Sequence, residues 1–405
     1  MIGDSRRETA DPGQRFALGL QNLVMLGDLP PSCRVGLLTN DAATDSRLVP
    51  AADILFRTVR LCALFGPEHG IRGDVQAGES VGSTVDSRTG LPVYSLYGEH
   101  RSPTAEQLAG LDLVVADLPD VGSRYYTYLA TLSCVMESCA SAGLPLIVLD
   151  RPNPLGGTVM EGSLLRPEFA SFVGRFAVPA RHGLTVGEYA RFVNDTAGIG
   201  CDLEVVSMAG WDRARYFDDL PLHWVMPSPN LPTLASALLY AGTCLFEGTN
   251  VSEGRGTTRP FELIGAPWLD PDRVLDSVDP VVMAGALLRE CRFRPVASKH
   301  AGELCAGFQR HVEDRNLIRP YRVAVALLDA IRRSCDEFRF LPPPEGRTRY
   351  FIDLLSGDDA LRDPGFELQA YLRRCDQETQ AFSALRRASL LYPEPAVPDA
   401  PAATP

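Results

Sequence analysis

The 405-residue sequence is long for a single hydrophobic core and predicts two domains. Its net charge of −12 argues against a nucleic-acid or anionic-membrane partner, because either requires a basic face. Ten cysteines without a CxxC pair or a metal-spaced Cys/His cluster predict reduced thiols. No apolar run reaches the length of a membrane span, and residues 1–16 lack the apolar segment of a signal peptide. We therefore expect a cytoplasmic protein, or a secreted one if the true start lies upstream.

Short apolar strands alternate with helices through the first half of the chain. The predicted strands cover residues 34–40, 59–65, 91–98, 112–118, 144–154 and 201–208. The predicted helices between them cover residues 44–57, 104–111, 125–143 and 184–195. This alternation is typical of βαβ units and a parallel sheet covered on both faces. It predicts an α/β fold that begins with a Rossmann-like domain at residues 15–210.

The second half is predicted to form a smaller α/β domain at residues 211–392. The predicted helices cover residues 233–241, 281–291 and 321–335, a strand covers 303–312, and two further helices close the domain. Residues 393–405 are rich in proline and alanine and are expected to be disordered.

The most informative polar segment is the central loop, residues 245–268, LFEGTNVSEGRGTTRPFELIGAPW. It combines Glu247, Glu253, Arg255 and Arg259 with several glycines, and it lies between apolar segments. Long polar loops between regular elements commonly hold polar ligands, and charges that face inward need partners. The alternative is a solvated surface loop whose glycines only turn the chain. We expect the loop to cover the strand ends of the first domain.

Polar side chains also follow four of the predicted strands. These groups are Thr39 and Asn40; Glu68, His69 and Arg72; Asp117 and Asp120; and Asp150, Arg151 and Asn153. Because ligands bind at the carboxyl ends of parallel strands, their recurrence at one sheet edge predicts a binding site there.

The residue types at this edge favour glycoside hydrolysis. No GxGxxG follows the first strand, and GxxxxGK[ST] and HExxH are absent. Carboxylates with arginines and tyrosines remain, which suit acid catalysis at a glycosidic bond. Glu68, in a turn after a buried strand, is the candidate general acid, since desolvation raises a carboxyl pKa. It could equally cap the turn or pair with Arg72, and His182 could either orient a ligand or be structural.

Several motifs carry a resemblance to a known family. They are GPEHGIRGD, AGESV, TGLPVYSLYG, DVGSRYYTY, IVLDRPNPLGG, RHGLTVGEYA, PSPNLPT, GTCLFEGTNVSEGRGTTRPFELIGAPW and GELCAGFQRHV. Over about residues 33–392 the sequence resembles the NamZ-type exo-β-N-acetylmuramidases of peptidoglycan recycling, formerly a domain of unknown function. The resemblance implies a glycosidase that uses no nucleotide and releases N-acetylmuramic acid from non-reducing ends. It also implies an acid/base role for Glu68 in GPEHG and an active-site role for Tyr126 in RYYTY.

The predicted substrate-binding residues are Asn40, His69, Arg72, Asp120, Arg124, Asn153, His182, Asn230, Glu247, Asn250, Glu253, Arg255 and Arg259. No metal and no cofactor are expected, and the expected partner is a muropeptide or amino-sugar substrate. One departure concerns this set: relatives read DIQDVG where this chain reads DLPDVG, so Pro119 replaces a glutamine able to hydrogen-bond a sugar. The sequence leaves a monomer and a homodimer open.

Two other functions remain as alternatives. The first is a catalytically inactive sensor that binds a sugar or muropeptide in the cleft between the domains; the intact Glu68 weighs against it. The second is a hydrolase that recognises phosphorylated or acidic sugars through Arg255 and Arg259. The missing phosphate loop counts against this reading.

Overall fold

The computed structural model describes residues 15–27, 29–72, 84–98 and 100–394. The AGESV motif at residues 77–81 and the predicted tail from residue 395 onward lie outside the described residues.

The first half contains α1 (Gly19–Leu26), β1 (Arg34–Thr39), α2 (Ala51–Thr58), β2 (Arg60–Gly66), β3 (Thr84–Val85), β4 (Pro92–Ser95), α3 (Ala105–Leu108), β5 (Leu113–Asp117), α4 (Tyr128–Ala142), β6 (Leu146–Leu149), β7 (Glu161–Leu164), β8 (Pro179–Arg181), α5 (Val186–Thr196) and β9 (Leu203–Val206). The second half contains α6 (Leu234–Thr243), β10 (Leu263–Ala266), α7 (Pro271–Leu275), β11 (Ala286–Phe293), β12 (Cys305–Val312), α8 (Pro320–Ser334), α9 (Phe351–Ser356) and α10 (Leu368–Leu385).

A seven-stranded sheet forms the centre of the first half, in the order β3-β4-β2-β1-β5-β6-β9. Its strands pair in parallel except for the short β3, which pairs antiparallel with β4 at the edge. β1 lies in the middle because the chain adds β2 on one side and β5 on the other. The predicted Rossmann-like parallel sheet is confirmed.

The alternation of side chains along β1 explains how the sheet is covered on both faces. Val35 and Leu37 are fully buried in a cluster with residues of α1 and α2. Leu38 points to the opposite face, where it belongs to the cluster that includes α4, α5 and the helices of the second half. Successive side chains of a strand face opposite sides, so this strand supports two cores.

The second half is a smaller α/β unit, as predicted. Its three-stranded antiparallel sheet has the order β10-β12-β11, and α8 and α10 match the predicted helices. Both halves contribute to one continuous apolar cluster, which includes Leu129 of α4 and Leu327 of α8. No helix in the described part of the chain is long and apolar enough to cross a membrane.

The helix predicted over residues 281–291 is wrong. The structure has a single 3-10 turn at Pro280–Met283, followed by β11. Gly285 separates them with a φ of 75°, a left-handed conformation that favours glycine. β11 pairs with β12 along its whole length, and burial alternates from Ala286 to the half-exposed Leu287. Strand pairing at this edge therefore overrides the helix propensity of alanine and leucine.

A short hairpin, β7 with β8, was not predicted, and Arg124 anchors it to the second half. The buried Arg124 guanidinium donates to the carbonyl oxygens of Ser163 and Val178 at 2.7 Å each. It also donates to those of Leu355 and Ser356 in α9, at 2.8 and 2.9 Å. One side chain therefore joins backbone segments from both halves of the chain.

We expect Arg124→Met to lower the free energy of unfolding by roughly 3 kcal/mol or more, because it leaves four buried carbonyl groups without this donor. The control is Arg322→Met, which removes an ion pair whose partner, the Asp376 side chain, is 60% exposed. That change should cost less than about 1 kcal/mol. Chemical denaturation of both variants makes the comparison, and equal small losses would contradict a structural role for Arg124.

Candidate active site

A cleft lies at the carboxyl ends of β2 and β4, where the second half of the chain closes over the sheet. The empty space within it, including the part that is open to solvent, is about 620 Å³. The side chains that line it are Glu68, His69, Tyr97, Tyr125, Tyr126, Thr127, Val173, Ser228, Leu231, Tyr240, Cys244, Glu247, Arg255, Phe261, Phe351 and Leu355. The central loop thus meets the strand ends, and the catalytic candidates Glu68 and Tyr126 lie in one cavity.

Glu68 is presented by a tight turn directly after β2. His69 and Gly70 both have a φ of 72°, so two consecutive residues adopt the left-handed conformation. This conformation is unfavourable for a histidine and persists where surrounding contacts compensate for it. Asn40 provides one such contact, since its Nδ2 donates to the Gly70 carbonyl at 2.9 Å. Tyr128 provides another, because its hydroxyl donates to the Glu68 carbonyl at 3.0 Å.

The Glu68 carboxyl group is also held by its neighbours. Thr127 Oγ1 donates to Glu68 Oε2 at 2.8 Å. Tyr97, which follows β4, lies beside the same carboxyl group. Burial, followed by the charge of Glu68 and a hydrogen bond to it, raises the pKa of Tyr97 to about 12. Tyr97 therefore stays protonated at neutral pH and acts as a donor towards Glu68.

The tyrosines before and within α4 fix the segment that forms one wall of the cleft. Tyr126 donates from its hydroxyl to the Pro227 carbonyl at 2.6 Å. The Tyr128 hydroxyl also lies 3.0 Å from this oxygen, so the Glu68 and Pro227 carbonyls share its single proton. Tyr125 donates to the Ala241 carbonyl at 2.8 Å. Burial, reinforced by Tyr128, holds the pKa of Tyr126 well above its usual range. Tyr126 is therefore a neutral hydroxyl rather than a phenolate.

The central loop contributes a chain of alternating charges. Arg255 donates to Glu247 Oε1 from Nε at 3.0 Å and from Nη2 at 2.6 Å. Its Nε also lies 3.5 Å from Glu253 Oε1, and Glu253 Oε2 lies 2.7 Å from Lys299 Nζ. Burial raises the pKa of Glu247, and the charge of Arg255 opposes that shift. The Nη1 group of Arg255 donates to no acceptor among the described residues, and Arg255 lines the cleft.

Other predicted binding residues border the cleft or stabilise its turns. His69 lines the cavity, and Asn40 supports the Glu68 turn. Asn230 lies beside Ser228 and Leu231 of the cleft wall, and its backbone N–H donates to Ser228 Oγ at 3.3 Å.

Several predicted binding residues instead make hydrogen bonds within the protein. Arg72 pairs with Asp53 and Asp86 at 3.2 and 2.7 Å. Asn153 donates to the Leu184 carbonyl at 2.9 Å.

The same holds for two residues of the central loop. Asn250 donates to the Glu337 carbonyl at 2.8 Å and accepts from the Arg339 N–H at 2.8 Å. Arg259 has a side chain that is 53% exposed and pairs with Glu262 at 3.1 Å. Neither residue lines the cleft.

Asp120 and His182 form a buried pair apart from the cleft. His182 Nε2 lies 3.2 Å from Asp120 Oδ2. His182 Nδ1 accepts from the Leu184 N–H at 3.2 Å, so a neutral ring carries its proton on Nε2, the ring nitrogen nearer to Asp120.

Three polar residues that contact Glu68 or Glu253 were not predicted: Tyr97, Thr127 and Lys299. Tyr97 and Thr127 lie inside the recognised motifs TGLPVYSLYG and DVGSRYYTY, but spacing along the sequence gives no indication that their side chains converge on Glu68. Lys299 carried a clearer signal, since it is the only lysine of the sequence. An ammonium group is a compact point charge and a guanidinium a planar fork, so the two side chains are not interchangeable in a paired position.

Comparison with known proteins identifies the family. The family descriptions "Exo-beta-N-acetylmuramidase NamZ, N-terminal" and "Exo-beta-N-acetylmuramidase NamZ, C-terminal" match residues 35–235 and 238–392. The chain belongs to the NamZ family of exo-β-N-acetylmuramidases. The resemblance carried by the sequence motifs is thereby confirmed.

Individual relatives agree with this NamZ assignment. The chain is 43% identical over 365 residues to the peptidoglycan β-N-acetylmuramidase NamZ of Bacillus subtilis (strain 168), covering 89% of this chain and 87% of that protein. Two crystal structures of DUF1343 family proteins from Bacteroides fragilis NCTC 9343 share the fold. One has a TM-score of 0.84 at 32% identity, and the match covers 94% of this chain and 99% of that one. The other has a TM-score of 0.74 at 27% identity, with coverages of 94% and 100%.

Proposed function

We propose that this protein is an exo-acting β-N-acetylmuramidase that releases N-acetylmuramic acid from the non-reducing end of peptidoglycan fragments. The observation that carries the proposal is the convergence of Glu68, Tyr97 and Arg255 on one cleft in a chain of the NamZ family. Carboxyl groups and neutral hydroxyl donors in a partly closed cavity suit the cleavage of a glycosidic bond.

Glu68 is the proposed general acid. An acid must hold its proton within hydrogen-bonding distance of the glycosidic oxygen, which requires a fixed carboxyl group. The bond from Thr127 fixes Oε2, and the bond from Tyr128 fixes the backbone of the same residue. Both contacts support a group whose position is set before the substrate binds.

The tyrosines are proposed to serve as neutral donors. Tyr97 has a pKa of about 12, and the pKa of Tyr126 lies well above its usual range, so neither is an anion at neutral pH. Tyr97 contacts the acid itself. Tyr126 positions the cleft wall through its hydrogen bond to the Pro227 carbonyl. A substrate oxygen that replaces this carbonyl as acceptor would receive the hydrogen bond from the Tyr126 hydroxyl instead.

Arg255 is the proposed recognition residue for the lactyl carboxylate that distinguishes muramic acid from glucosamine. A planar guanidinium matches a carboxylate in shape and charge. Glu247 and Glu253 hold the Nε side of Arg255, and its Nη1 has no acceptor among the described residues. Arg259 lies outside the lining of the cleft, so of the two arginines we assign the role to Arg255.

A cytoplasmic location is proposed from the state of the thiols. All ten cysteines are free, and several, including Cys139 and Cys244, are buried in the core. Proteins with this pattern belong to reducing compartments. The substrate would then be fragments imported into the cell.

The role of Glu68 is tested with Glu68→Gln and two substrates. The variant should keep its fold, because the amide is nearly isosteric. It should lose on the order of 10²–10⁴ in kcat on a disaccharide, whose sugar leaving group needs a proton. A dinitrophenyl muraminide should suffer much less, since its leaving group departs without protonation. Rates on both substrates and the thermal melting of the variant give the comparison.

Equal losses on the two substrates with unchanged melting would show that Glu68 is not the acid, and Glu247 would be the next carboxyl group to test. Binding of muropeptides by the wild-type protein without any hydrolysis would instead favour the sensor alternative. The alkaline limb of the wild-type rate profile should vanish in the variant, because that limb reports the ionisation of the acid.

The role of Arg255 is tested by comparing Arg255→Met with Arg259→Met on matched muraminide and N-acetylglucosaminide substrates. Arg255→Met should reduce kcat/KM for the muraminide by roughly 10–100-fold more than for the glucosaminide, the cost of a charge-assisted hydrogen bond. Arg259→Met should alter both substrates equally and little, because its salt bridge is largely exposed. If the Arg255 variant loses both activities in parallel, its role is to position Glu247 rather than to read the lactyl group.

A further inference from the structure

A second cavity, separate from the cleft of Glu68, lies at the carboxyl ends of β1, β5 and β6. The empty space within it, including the part that is open to solvent, is about 480 Å³. Its lining includes Asp45, Pro119, Asp120, Arg151, Phe217 and Trp224. The chain adds strands on opposite sides of β1, so this crevice is the topological switch point where doubly wound sheets bind ligands. We call it the switch-point crevice.

The outer wall of the crevice is aromatic. Trp224 packs edge-on against Phe217, with ring centroids 5.3 Å apart and an interplanar angle of 89°. The indole Nε1 donates to the Leu231 carbonyl at 3.1 Å, which fixes the orientation of the ring. A held, half-buried indole beside prolines is a surface on which the apolar face of a sugar ring stacks.

The floor of the crevice is acidic. Arg151 also borders it, but this guanidinium pairs through Nε and Nη2 with Asp117 and donates from Nη1 to the Thr44 carbonyl at 2.9 Å. Its charge is therefore compensated within the protein. The carboxylates of Asp45 and Asp120 then give the crevice a negative character that disfavours phosphate groups and peptide carboxylates.

Asp120 carries an unused acceptor. Its Oδ2 accepts from the Gly122 N–H at 2.8 Å and faces His182 Nε2. Its Oδ1 is buried and has no hydrogen-bond partner within the described part of the chain. A buried carboxylate oxygen without a donor is costly, and a ligand that brings a hydroxyl or N–H group would remove that cost.

The crevice and the catalytic cleft share a wall. Pro227 lines the crevice, while its neighbour Ser228 lines the cleft. Leu231, which accepts the hydrogen bond from Trp224, also lines the cleft. The two cavities are therefore adjacent, on either side of the segment that contains Pro227 and Ser228.

We propose that the switch-point crevice binds the neutral sugar on the leaving-group side of the scissile bond. The ring stacks on Trp224, and a hydroxyl or amide N–H group donates to Asp120 Oδ1. Pro119 supplies an apolar side of the same site. This assignment rests on the proposed glycosidase function, and it identifies an uncharged pyranose, rather than the acidic peptide stem, as the occupant.

The test compares a nitrophenyl muraminide, whose leaving group is too short to reach the crevice, with the disaccharide of N-acetylmuramic acid β-linked to N-acetylglucosamine. Trp224→Ala should lower kcat/KM for the disaccharide about tenfold more than for the nitrophenyl substrate, the value of one aromatic stacking contact. Trp224→Phe should recover part of the loss. Trp268→Ala is the matched control, because Trp268 is also half-buried against the core but lines neither cavity.

Asp120→Asn provides an independent arm. The amide oxygen can still accept from Gly122 and face His182, while the NH₂ group replaces the Oδ1 acceptor. Calorimetric titration with methyl N-acetyl-β-glucosaminide, which has no muramic sugar, should show at least tenfold weaker binding to this variant than to the wild type. Full-length wild-type protein serves as the reference in the same titration.

The outcomes separate the two claims. If the wild type hydrolyses the nitrophenyl muraminide but Trp224→Ala slows both substrates equally, and the titration is unchanged by Asp120→Asn, the crevice does not hold the leaving-group sugar. If the wild type hydrolyses neither substrate, the proposed function fails. The titration then still decides whether the crevice binds a neutral sugar. Preferential binding of an unglycosylated stem peptide that the Asp120 variant loses would assign the crevice to the peptide and overturn the proposal.

Discussion

The hydrogen bonds around the Glu68 turn are the constraint on which the rest of the site depends. Two consecutive left-handed residues, His69 and Gly70, aim the Glu68 side chain into the cleft, and such a backbone requires compensation. Asn40, from the end of the neighbouring strand, binds the Gly70 carbonyl. Tyr128, from α4, binds the Glu68 carbonyl. The parallel sheet therefore positions Glu68 through the strand beside it and the helix above it.

The same helix also sets the boundary between the two cavities. Tyr126 and Tyr128 converge on the Pro227 carbonyl, which belongs to the irregular connection between the two halves. This connection contains few regular backbone hydrogen bonds of its own, so the tyrosine hydroxyls fix its position relative to Glu68. The catalytic turn and the cleft wall are thus held by α4 and by the residues that lead into it.

On the opposite side of the cleft, Glu247 and Glu253 of the central loop are paired with Arg255 of the same loop and with Lys299 from outside it, because buried charges require partners.

The sequence predicts the sheet and the position of the cleft well, because both follow from periodicity. Short apolar runs before Asn40 and Glu68, alternating with helices, are typical of a buried parallel sheet, and the carboxyl ends of such strands share an edge. β11 was mispredicted because its alanine and leucine residues favour a helix, and only its partner strand decides otherwise.

The partners of individual side chains are harder to predict from the sequence, as Arg124 shows. A polar side chain in a motif can turn to a ligand or to backbone carbonyls, and nothing in the linear sequence distinguishes these. Tyr97 was missed for the related reason that its contact with Glu68 exists only after β4 pairs with β2.

The most direct measurement of the central claim is a crystal structure of Glu68→Gln with the disaccharide of N-acetylmuramic acid and N-acetylglucosamine bound. The account predicts the muramic ring in the cleft, with the glycosidic oxygen within hydrogen-bonding distance of the residue 68 amide. It also predicts the lactyl carboxylate against the Arg255 guanidinium. A muramic ring bound with its glycosidic oxygen away from residue 68, or with its lactyl group directed away from Arg255, would contradict the account.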